Sequence, residues 1–160
     1  MPNRHDIHVL NTLITATLDS AERLDQIAGD SESTGHGSLF TALATERRDM
    51  ARALSETVTA LGGHPDDAGG SILAKAQRAV MDIGHALIRD EAGLVDAADR
   101  GESALDRRFE AALADDRLAA TTRETIRRAH AAIHREKTEV RDLRHSLDSQ
   151  RDLGSGLYPQ

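Results

Sequence analysis

The stretch from residue 39 to residue 63, LFTALATERRDMARALSETVTALGG, constrains the chain more than any other. Leu39, Phe40, Leu43, Met50, Leu54, Val58 and Leu61 recur at the three- and four-residue spacing that lines one face of a helix. Ser38 stands where a side-chain N-cap is expected. Gly62 and Gly63 followed by Pro65 form a strong stop. A helix this long with one apolar face has to bury that face against other elements. Its stripe is interrupted near the middle by Glu46 and Arg47, and Arg47 falls close to the stripe's centre. A charged pair at that place is either a functional site or a buried ion pair.

Composition says what the other elements are. Aromatic residues are 2% of the 160 and tryptophan is absent, so the core must come from Leu, Ile, Val, Ala and Met. That favours helix-on-helix packing, because strands prefer aromatic and β-branched residues. The length suits one domain with a sizeable core. A net charge of -7 and no dominant basic face argue against nucleic acid as a partner. The absence of cysteine excludes disulfides, thiolate catalysis and cysteine zinc sites. No apolar run approaches the ~18 residues of a membrane span, and the N-terminus lacks a signal-peptide core. The expectation is a soluble cytoplasmic protein.

Four further segments carry helical periodicity. The first spans residues 4–28, with Leu10, Leu13, Ile14, Leu18, Ala21 and Leu24 on one face and Gly29 as its stop. A shorter one spans 72–88. The next starts after Asp90, a good cap, with Leu94, Ala98, Leu105 and Phe109 inward. Gly101 inside it predicts a close approach by a neighbouring helix. In the last, Thr121 and Glu124 have capping-box spacing, and Ile126, Ala129, Ile133, Val140 and Leu147 share one side. Gly154, Gly156 and Pro159 predict an irregular tail over 151–160, leaving 1–150 as the bundle. Short turns join the first two helices and the last two, and a long connection links the pairs. That pattern predicts an all-α, ferritin-like four-helix bundle: two antiparallel hairpins with an extra helix in the long crossover.

Three segments carry a family resemblance: LFTALATERRDMARALSETVTALGG, SILAKAQRAVMDIGHAL and LVDAADRGESALDRRFEAAL, in that order. Asp99-Arg100-Gly101-Glu102 and the LFxxLAxER start at Leu39 are the most specific pieces. Together they make residues 7–145 similar to a bacterial family of ferritin-like four-helix-bundle proteins of unknown function. The chain departs from it at Arg23 and Leu24, where the family tends to place a glycine and an aromatic. The resemblance implies the fold and, by superfamily analogy, a di-metal centre.

Such a centre needs a Glu from each of two helices and a Glu-x-x-His from each of the others. No Glu-x-x-His occurs in the chain. Glu46 is followed three residues on by Asp49, and Glu102 by Leu105, which cannot ligate. The leading reading is therefore a polar core network of Glu46, Arg47, Glu102, Asp25 and Glu136. It describes a small bundle with a binding or structural role, stress-related by analogy with relatives of the fold, and with no catalytic residues. The alternative is an iron or manganese oxidoreductase or storage protein, with Glu46, Glu102 and His130 as ligands. A third reading has residues 72–88 mediating self-association into a homo-oligomer.

Overall fold

The structure, a computed structural model, describes residues 3–31, 35–66 and 90–156. These residues form four helices and, among them, no strand: α1 (Asn3–Asp30), α2 (Gly37–Ala60), α3 (Glu91–Leu113) and α4 (Ala120–Gly156). The segment expected to be helical over 72–88 lies outside the described residues. No described helix is long and apolar enough to cross a membrane.

Helix ends follow local chemistry, with three departures from expectation. Asp90 caps α3 as predicted, its Oδ1 accepting the Gly93 N–H at 3.0 Å. Gly62, at φ +82°, ends α2. The N–H of Gly63 returns to the Val58 carbonyl and that of Gly62 to the Thr59 carbonyl. This double return needs a left-handed residue, which glycine adopts without strain. In contrast, α2 begins at Gly37 with His36 at the cap, so Ser38 already lies inside the helix. At the start of α4, Ala120 is already helical, so Thr121 cannot be its cap. A residue from α1 does that work instead: Asp6 Oδ2 accepts the Ala119 N–H at 3.2 Å and the Thr122 hydroxyl at 2.6 Å. Finally, α4 continues to Gly156, so 151–156 is helical rather than an irregular tail. Glycine weakens a helix interior by only about 1 kcal/mol and does not by itself end one.

The contacts fix the direction of each helix. The start of α1 meets the end of α2, with the Asn3 amide on the Leu61 carbonyl and the Asn11 amide on the His64 carbonyl. It also meets the end of α3, where His5 pairs with Asp115 at 2.6 Å. Both α2 and α3 thus run opposite to α1. Along α3 and α4, Asp106 faces Lys137 and Asp99 faces Arg144, so α4 runs opposite to α3. Every helix packs on two others: α1 on α2 and α3, and α4 on α3 and α2.

Two apolar clusters fill the interior. One holds Leu10, Leu13 and Ile14 of α1, Met50, Leu54 and Val58 of α2, Leu105 and Phe109 of α3, and Ile126 and Ile133 of α4. The other holds Leu24 and Ile27, Phe40 and Leu43, Leu94 and Val95, and Val140. On every helix the two sets are separated by one to three turns of other residues. That stretch is where the polar groups of the core gather.

A buried polar layer as the candidate functional site

Each helix contributes one polar side chain to the middle of the bundle: Ser20 from α1, Arg47 from α2, Glu102 from α3 and Glu136 from α4. Arg47 is 0% exposed and is the largest of the fully buried side chains. Its Nη2 donates to Glu102 Oε2 and its Nη1 to Glu136 Oε2. The second oxygen of Glu102 accepts the Ser20 hydroxyl at 3.3 Å. The planar guanidinium suits this place, since its two terminal nitrogens reach two carboxylates on different helices at once.

Charge balance governs the layer. One guanidinium facing two carboxylates would leave a net negative charge in an apolar interior, which is costly. Burial pushes the Glu136 carboxyl up, the adjacent Glu46 carboxyl pushes in the same direction, and Arg47 pulls against both; the result is about 8. Glu136 is thus protonated at neutral pH, and the layer reduces to one cation, one anion and one neutral acid. Its Oε1 is buried and accepts no hydrogen bond. As the protonated oxygen it becomes a donor toward Glu46, which removes that deficit.

The layer opens to solvent on one side. A groove of 470 Å³ runs between α2 and α4, floored by Met50, Leu54, Ala129 and Ala132, with Glu46 and Glu136 among its lining residues. Glu46 is itself exposed, so it sits at the mouth of the layer and not inside it. Asp25, expected in the core network, is exposed on α1 and pairs with Arg48 instead. One helical position, about 100°, separates Arg48 from Arg47, and the acid follows the outward-facing arginine.

Three buried acids lie outside the sequence reading: Asp99, Asp106 and Asp6. Asp99, Glu102 and Asp106 lie on successive turns of α3 and are 5%, 1% and 1% exposed. Asp99 is held by Arg144 at 2.6 Å. Asp106 is held by Lys137 at 2.7 Å and by His130 at 2.8 Å. Burial alone would raise the Asp106 carboxyl; its hydrogen bonds to Lys137 and His130 outweigh that and hold it low. Asp6 is the third acid missed. The signal in the sequence is the 3-then-4 spacing of acids on α3 opposite basic residues at 130, 137 and 144, seven apart, on α4.

The three residues considered as iron or manganese ligands do not converge. Glu102 is engaged by Arg47, Glu46 faces Glu136, and His130 Nε2 is on Asp106. A guanidinium already lying between the central carboxylates opposes a cation there. Gly101, expected to admit a neighbouring helix, instead makes room for a side chain: a Cβ there would lie 2.8 Å from Arg23 Nη1.

No curated protein matches the chain. A family profile does match, over residues 5–115. It takes in α1, α2 and α3, hence Ser20, Arg47 and Glu102, and stops short of Glu136. By that match the chain belongs to the family described as Domain of unknown function (DUF2383).

Proposed function

We propose that the protein is a cytoplasmic, ferritin-like bundle that has a structural or binding role in place of ferroxidase chemistry. The observation that carries this reading is Arg47, wholly buried between Glu102 and Glu136. The ferritin-like assignment draws support from the helix directions. The end of α2 and the start of α3 lie at opposite ends of the bundle, the placement found where two antiparallel pairs follow each other in a ferritin-like chain. In di-metal members of that fold class, inward carboxylates from four helices share cations. Here the corresponding charge is supplied by a side chain and a proton. Such a layer also fixes register: sliding any helix by one turn would strand a buried charge.

The test is metal analysis of the full chain after expression with iron and manganese supplied, beside Glu102→Gln. Iron and manganese at substoichiometric level, unchanged by the substitution, are the expected result. One or two equivalents of iron or manganese that disappear in Glu102→Gln would overturn the reading.

A further inference from the structure

Away from the central layer, His130 and His134 stand one turn apart on the same face of α4, with ring centroids 6.1 Å apart. Asp106 reaches them from α3. Its Oδ1 lies 2.8 Å from His130 Nε2 and 3.6 Å from His134 Nδ1. One ligand atom from each of the three lies within 4.8 Å of the others. Tetrahedral coordination with bonds of about 2.0–2.1 Å places ligand atoms roughly 3.3–3.4 Å apart. The two Asp106 distances bracket that value.

We propose that Asp106, His130 and His134 form a three-ligand site for a zinc-class divalent cation, on the α3–α4 seam and independent of the central layer. The donor set decides the class: two imidazoles with one carboxylate suit the first-row divalent ions from iron to zinc better than magnesium or calcium, and within that row zinc binds such a site more tightly than iron. Asp106 is 2% exposed at its side chain, whereas His134 is 63% exposed. The site therefore has one rigid wall and one open side, which leaves a coordination position for water or an exogenous ligand. Lys137 occupies the other carboxylate oxygen, Oδ2, at 2.7 Å. It fixes the carboxylate with Oδ1 turned to the two histidines, the orienting role that outer partners of metal ligands play. Its positive charge also weakens the site, which sets the expected affinity in the micromolar range rather than below.

Titrating the full chain with Co²⁺, followed by visible absorption, and with Zn²⁺, followed by calorimetry, tests the assignment. One equivalent should bind, with the ligand-field bands of a four- or five-coordinate nitrogen- and oxygen-bound cobalt ion. His134→Ala is on the surface and should keep the helical circular dichroism of the parent while weakening binding tenfold or more. His130→Ala should do the same, and Glu102→Gln should leave Zn²⁺ affinity unchanged. Failure of the site is thereby separable from failure of the central-layer reading. The assignment is overturned if no equivalent binds at 100 micromolar Zn²⁺, or if His134→Ala binds as the parent does.

Discussion

The α1–α2 pair and the α3–α4 pair are held by different physics. Along α1 and α2 the buried residues are mainly apolar: Leu10, Leu13, Ile14, Leu24 and Ile27 on one side, Phe40, Leu43, Leu54 and Val58 on the other. Along α4 the fully buried apolar residues are Ile126, Ile133 and Val140, seven apart. Such a narrow stripe cannot cover α3 alone, and the gaps are filled by ions. Asp99 with Arg144, Glu102 with Arg47 of α2, and Asp106 with Lys137 and His130 follow one another along α3. Apolar packing is insensitive to pH and tolerant of small shifts. A ladder of buried ions is sensitive to both, so the second pair specifies register and responds to conditions.

The largest expected effect breaks the buried ion group that ties α2 into the second pair. Arg47→Leu leaves Glu102 buried without its cation, and loss of one partner of a buried pair costs about 3–5 kcal/mol. Denaturant unfolding of the variant against the parent measures it. A loss below about 1 kcal/mol would mean that Arg47 is not buried in solution.

Next is the pH response of the same layer. The folded Glu136 carboxyl, raised to about 8, keeps its proton where the unfolded one, near 4.5, has lost it. Its contribution is therefore complete below pH 4.5 and is lost as pH rises through 8. The slope cannot exceed about 1.4 kcal/mol per pH unit, so roughly 2 kcal/mol separates pH 6 from pH 7.5. Glu136→Gln imitates the protonated acid and should flatten that part of the profile. An equally steep profile in the variant would assign the slope to other groups.

Much of this contrast is legible in the sequence, and the rest is not for a definite reason. Periodicity finds the apolar stripes, and Arg47 at a stripe's centre demands acids on facing helices, which Glu102 and Glu136 supply. The same method passes over Asp6, Asp99 and Asp106, because it scores each helix alone. An acid beside a narrow apolar stripe is buried only when the facing helix brings a cation, and that pairing is a property of two helices together. Asp25 shows the converse error: proximity to the stripe suggested burial, but Arg48 draws it outward. At the end of α4, Gly154 and Gly156 predict a break where the helix continues. Leu143 and Leu147 pack against the second apolar cluster and carry the helix on.

A smaller effect tests how the two pairs are joined. Asp6 of α1 caps α4, so an α1 side chain closes a helix end of the second pair. Asp6→Ala removes the acceptor for the Ala119 N–H and the buried Thr122 hydroxyl. Loss of such a cap costs about 1–2 kcal/mol. Hydrogen exchange should localise the change to the first turn of α4, with α1 and α2 unaltered. Exchange that rises evenly along all four helices would instead make Asp6 a general core residue.

The smallest effect is expected at Gly101, where α1 meets α3 through a side chain. An added Cβ meets Arg23 Nη1 at 2.8 Å and Arg23 Cδ at 3.4 Å, both atoms of one side chain. The far end of an arginine moves aside at little cost. Alanine also improves the helix, by up to about 1 kcal/mol relative to glycine. Gly101→Ala should therefore raise the melting temperature slightly. A clear fall would show that the Arg23 position is fixed, and that the α1–α3 contact has less freedom than its single flexible side chain implies.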